Sequence, residues 1–239
     1  MDQQQFSTRS SGMLAALFSA VMLAACGGGG DSPAPAPTPA STPVPTPPPP
    51  PPPPAPAPAD TAYATPNSAT GTAESGTIDS YSFAEKGAQL TPGSLSYASG
   101  LVSFSTTLSG AQAYAGAAIR LYSPANTGGS PVTNFNASSF TKLKIQLRSS
   151  TDATLTIKLQ PSPVSADGCT ATAQAIVNST TSELVIDLND ASFPLPDYCN
   201  GTGTKVGTVK AGLYAIDVVN AATTAGTHDL SVGTVKLAP

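Results

Sequence analysis

The stretch Lys142-Leu143-Lys144-Ile145-Gln146-Leu147-Arg148 puts an aliphatic side chain at every second position and a polar or charged one between. Successive side chains of a β-strand point to opposite faces, so this run reads as a strand with Leu143, Ile145 and Leu147 buried and the others in water. After the short polar segment 149–153 the pattern returns in residues 154–160, with Leu155, Ile157 and Leu159 inward. Working outward, similar short runs occupy 77–83, 101–107, 117–122, 172–177, 183–188, 213–219 and 230–237, each bounded by Gly, Pro, Asn, Asp or Ser. No window carries a sustained helical period. Nine short strands between residues 60 and 239 predict an all-β, two-sheet antiparallel sandwich.

The N-terminal quarter has a different composition. Sixteen of the 25 prolines fall between Pro33 and Pro58, including the eight consecutive prolines 47–54. Proline fixes φ and lacks an N–H, so this tract cannot build a core and reads as a polyproline II spacer. At about 3.1 Å per residue the 27 residues 33–59 reach roughly 80 Å. The alternative is a ligand for an aromatic groove on another protein. Ahead of it, Arg9 and an apolar run over 13–25, too short to span a bilayer, read as a signal peptide. The expected division is a signal peptide at 1–26, a Gly/Pro-rich linker at 27–59 and one β-sandwich domain at 60–239.

Charged residues make up 10% of the chain and the net charge is −4, against roughly 25% charged in an average domain. A protein that tracks phosphates needs a basic surface, so nucleic acid is not an expected partner. With no Trp, one His (His228) and three Cys, little of the usual catalytic and metal-ligand inventory is present. Ser139-Phe140-Thr141-Lys142 has the spacing of the serine β-lactamase motif, but that chemistry needs one helical turn and Lys142 begins a strand. Asp187, Asp190 and Asp197 are candidate paired carboxylates of a glycosidase, with surface solvation as the reading adopted. Neither catalysis nor a cofactor is expected.

Leu23-Ala24-Ala25-Cys26, placed after the apolar run and before Gly27–Gly30, resembles the bacterial lipobox. The resemblance implies that Cys26 is diacylated and becomes the first residue. Two or three acyl chains, at about 0.8 kcal/mol per buried CH₂, anchor a protein durably. Among lipoproteins of this kind a Gly after the Cys implies passage to the outer membrane. With Cys26 assigned to lipid, Cys169 and Cys199 remain in an exported domain, and a disulfide between them is the expected pairing. It would pin the 193–198 segment beside 161–168.

Within the domain, Gly116-Ala117-Ala118-Ile119-Arg120-Leu121 followed by Asn136 through Arg148, and then by the strands at 154–159, 183–188, 213–219 and 230–237, resembles the galactose-binding-like β-jelly-roll modules of bacterial carbohydrate-binding proteins. The resemblance implies noncatalytic glycan binding by a monomeric, lipid-anchored surface protein. Many such modules hold a structural calcium through an Asp in the last strand. Here Gly233 stands at that place, which argues against calcium. Sugar sites combine an aromatic face for the C–H side of the ring with planar polar groups for its hydroxyls. Arg120 and Tyr122 lie two apart on one strand face, and Gln146, Arg148, Lys158 and Gln160 face outward on later strands. If those strands share a sheet, the residues form one polar groove with an aromatic wall; otherwise they are ordinary solvated faces. Tyr114 and Tyr198 are the other aromatics to test. The competing functional class is a structural or adhesive envelope protein contacting protein partners.

Overall fold

Alternating patterns become strands wherever one face has a second sheet to pack on. The computed structural model describes residues 58–111, 114–124, 134–165, 168–180 and 182–239. The signal peptide, Cys26 and the stalk through residue 57 lie outside the described residues. Eleven strands occur among those described: β1 (Thr61–Ala64), β2 (Ile78–Ala84), β3 (Leu90–Ala98), β4 (Leu101–Leu108), β5 (Ala115–Tyr122), β6 (Lys142–Ser149), β7 (Ala153–Gln160), β8 (Thr172–Val177), β9 (Ser182–Asp187), β10 (Ala215–Ala222) and β11 (Gly226–Ala238). A short helix α1 (Val206–Ala211) and a 3-10 turn (Asp197–Cys199) interrupt them.

The strands form two antiparallel sheets that the chain enters by turns, the arrangement of a jelly roll. One has the order β3-β4-β11-β6-β9, with β1 added alongside β11; the other has the order β2-β5-β10-β7-β8. The 13-residue β11 is long enough to pair with β4 through its first half and with β1 through its second, while β6 lines its other edge. Between the sheets lie the aliphatic halves of the alternating runs. Val102, Phe104, Leu143, Ile145, Leu147, Leu230 and Val232 come from the first sheet, and Ile119, Leu121, Leu155, Ile157, Leu159, Ile216 and Val218 from the second.

All nine expected strands are present, with ends moved by a few residues, and two more join them. β3 carries Pro92 and Gly93, which broke its pattern in the sequence. It is an edge strand with a register shift between Pro92 and Leu95, where a missing N–H is tolerated. A Cβ on Gly93 would come within 2.6 Å of the Ser105 carbonyl oxygen, so only glycine allows this approach. β1 is four residues long, too short to show a period.

Cys169 and Cys199 are joined as a disulfide, with their Cα atoms 5.6 Å apart. The bond brings the segment before β8 against the 3-10 turn. There the Tyr198 hydroxyl donates to the Gly168 carbonyl at 3.2 Å.

Candidate functional site

The five-stranded sheet turns the residues that alternate with its buried ones outward. Register places Asp79 of β2 beside Arg120 of β5, Arg120 beside Asp217 of β10, Asp217 beside Lys158 of β7, and Lys158 beside Thr172 of β8. One row of polar side chains therefore crosses all five strands on the side away from the core. On one flank of that row lie Tyr122, Ala215 and Gln160; on the other lie Tyr81, Ala118, Val219, Thr156 and Gln174.

Asp217 organises the row. Although it faces away from the core, its side chain is 0% exposed, against 19% for Arg120. Arg120 Nε donates to Asp217 Oδ1 at 2.6 Å and Nη2 to Oδ2 at 2.8 Å, the two-pronged geometry available to a planar guanidinium. Oδ2 also accepts from Gln160 Nε2 at 2.6 Å and from the Tyr81 hydroxyl at 3.0 Å. A buried carboxylate is tolerable only when its oxygens are satisfied in this way. Gln160 Oε1, also buried, is left without a partner, so the amide is oriented by Asp217 alone.

Aromatic rings frame the ion pair. The Arg120 guanidinium carbon lies 5.0 Å from the Tyr81 ring centre and 5.9 Å from that of Tyr122, both within cation–π range. Tyr122 meets Tyr214 edge to face at 5.5 Å, and its hydroxyl donates to Asp79 Oδ2 at 2.7 Å. Next along β2, Phe83 lies over Gly116, where a Cβ would approach the ring to within 2.7 Å. Burial, reinforced by the charge of Asp217, holds the Tyr81 hydroxyl protonated well above the usual phenol range. Burial and the hydrogen bond to Asp79 act in the same direction on Tyr122. The bond to Asp217 pushes the Arg120 guanidinium, already a permanent cation, further up. The result is a rigid surface of two tyrosines with a fixed, partly exposed guanidinium between them. Both nearby carboxylates are engaged.

No protein-family model matches the sequence, and no curated protein matches it. Among solved structures the chain is similar to the family 11 carbohydrate-binding module of a cellulosomal cellulase of Clostridium thermocellum, at 14% identity, with 75% of this chain and 94% of that one covered and a TM-score of 0.49. The module from Clostridium thermocellum in complex with a β-1,3-1,4-mixed-linked tetrasaccharide gives 14% identity, coverage of 74% and 96%, and a TM-score of 0.45. A family 29 carbohydrate-binding module gives 13%, coverage of 74% and 90%, and a TM-score of 0.39.

The single groove expected from the sequence divides in two. Arg120, Tyr122, Lys158 and Gln160 share the outer face of the five-stranded sheet, as do Tyr198 and its neighbours at the β8 edge. Gln146 and Arg148 belong to β6 in the other sheet and face outward on the opposite side of the sandwich. Gln146 has a local task there: its Oε1 accepts the Thr234 N–H at 3.0 Å across a register shift in β11. A Cβ on Gly233 would come within 2.5 Å of that oxygen, so a larger residue there would displace the Gln146 side chain. Tyr114 stands half-exposed with Lys86 Nζ 3.7 Å from its ring centre. Asp187 pairs with Lys142 at 2.7 Å on the six-stranded sheet. Among the described residues no group of three His, Cys, Asp or Glu side chains is placed to hold a metal ion.

Sequence reasoning missed Tyr81, Asp79, Tyr214 and, above all, Asp217. A signal was present: Asp217 interrupts Ala215-Ile216-Asp217-Val218-Val219, a run otherwise apolar, and Asp79, Tyr81 and Phe83 alternate on one face of β2.

Proposed function

We propose that the outer face of the five-stranded sheet binds carbohydrate without cleaving it, and that the domain is displayed on a proline-rich stalk from a lipid anchor at Cys26 in a bacterial outer membrane. The observation that carries the binding reading is the buried Asp217 on the solvent side of the sheet. It fixes Arg120 between Tyr81 and Tyr122. A planar donor group bridges adjacent hydroxyls, and flanking rings cover the C–H faces of sugar units. The noncatalytic reading is supported by the two carboxylates beside Arg120 and Tyr122. Asp217 is tied to Arg120 and Asp79 accepts from Tyr122, so neither is disposed as a free acid or base.

Calorimetry with the full chain in detergent, against soluble polysaccharides that include mixed-linked β-1,3-1,4-glucan, xylan and galactan, tests the proposal. At least one should bind at millimolar affinity or better. Tyr122→Ala should weaken that binding tenfold or more, about 1.4 kcal/mol. Arg148→Ala, on the opposite face, should leave it unchanged. No binding by any of these sugars would sink the reading. The anchor is tested separately: metabolic palmitate should label the chain and be lost in Cys26→Ser, and retention of label in that variant would refute it.

An adhesive protein that contacts other proteins is the second reading. Ile176 on β8 and Val185 on β9, both edge strands, are 81% and 55% exposed and favour it. It requires that the Tyr122 face bind none of the sugars.

A further inference from the structure

Beside β8 the same outer face opens into a hollow of about 660 Å³. Thr172 and Gln174 of β8 form one side, and Pro194, Pro196, Asp197 and Tyr198 the other. Thr172 and Gln174 hold the outward positions of β8, since Ala173, Ala175 and Val177 enter the core. The hollow therefore continues the polar row that begins at Asp79 and Arg120. Five strands are separated by four spacings of about 4.8 Å, so the row is roughly 19 Å long.

Tyr198 is the feature that turns this hollow into a candidate subsite. Its side chain is 61% exposed, which a ring present only to fill the loop would not be. It is nevertheless held at both ends. Its hydroxyl donates to the Gly168 carbonyl at 3.2 Å, and the next residue, Cys199, is covalently joined to Cys169. The Thr172 N–H donates to the Pro194 carbonyl at 3.0 Å and ties the same segment to β8. An aromatic ring fixed before binding loses little conformational freedom on contact with a ligand. The neighbouring Pro, Gln, Thr and Asp side chains offer the mixture of apolar walls and few polar groups typical of ligand sites.

We infer that this hollow is a second sugar subsite, separated from Arg120 and Tyr122 by Lys158, and that the ligand is an extended glycan chain lying across the strands rather than a single sugar. The inference rests on the carbohydrate reading of the Arg120 face. Its own content is the second point of contact at Tyr198.

The test is the affinity of the full chain for β-1,3-1,4-gluco-, xylo- and galacto-oligosaccharides of two to six units. Affinity should climb with length until the oligomer spans both aromatic positions. Tyr198→Ala should remove that climb, weakening the longest binder tenfold or more while leaving the disaccharide unchanged. Tyr198→Phe, which keeps the ring and loses the hydroxyl that bonds Gly168, should bind the long oligomer as the unsubstituted chain does. Tyr122→Ala should weaken every length. If Tyr198→Ala binds all lengths normally while Tyr122→Ala does not, the second subsite is refuted and the first stands. If no oligomer of any length binds the unsubstituted chain, the carbohydrate reading itself falls.

Discussion

Replacing Asp217 with Ala is expected to destabilise the domain by about 3 kcal/mol, the lower end of the range for breaking a buried ion pair, because Arg120 keeps some access to water. For a domain of this size that corresponds to a fall in Tm of about 6–12 °C. The loss has three sources: Arg120 loses its two-pronged acceptor, and Gln160 Nε2 and the Tyr81 hydroxyl lose theirs. Arg120→Leu should cost at least as much, since the remaining carboxylate is fully buried and has no route to solvent. The double variant Arg120→Leu with Asp217→Ala should cost clearly less than the sum of the two. Urea denaturation of the four proteins completes the cycle. Additive losses, or a loss below about 1 kcal/mol for Asp217→Ala, would show that the pair does not hold this face together.

The second large effect belongs to the disulfide. Cys169 and Cys199 are 30 residues apart, and cross-linking them removes enough freedom from the unfolded chain to stabilise the fold by roughly 3–4 kcal/mol in the loop-entropy model. The paired Cys169→Ala, Cys199→Ala variant should therefore melt about 6–16 °C lower. It should still fold, because the segment has backbone ties of its own. Thr204 N–H donates to the Cys169 carbonyl at 2.9 Å and Ala171 N–H to the Thr204 carbonyl at 3.0 Å. A calorimetric melt that moves by less than about 2 °C would show that the cross-link adds nothing to these ties.

The two effects differ in how far the sequence could have announced them. Two cysteines in the β-sandwich, with one histidine elsewhere and an expected signal peptide ahead of them, leave few pairings, so the disulfide was legible before any geometry. The Arg120–Asp217 pair was not. Its members are 97 residues apart, and only the pairing of β5 with β10 sets them side by side.

Local pattern determined a great deal of this protein by itself. Alternation at period two marked β6 and β7 and assigned Leu143, Ile145, Leu147, Leu155, Ile157 and Leu159 to the core, because a strand with one apolar face has a single way to bury it. The same pattern was silent where Pro92 and Gly93 interrupt β3 and where β1 has only four residues. For the site, alternation divides a strand into inside and outside, but a two-sheet sandwich has two outsides. Arg148 and Lys158 look alike in the sequence, each a cation on the polar side of a strand. Strand order sends the first to the six-stranded sheet and the second to the five-stranded one, beside Asp217. Which outward residues can touch one ligand is fixed by long-range strand pairing, and that was decided only when the sheets assembled.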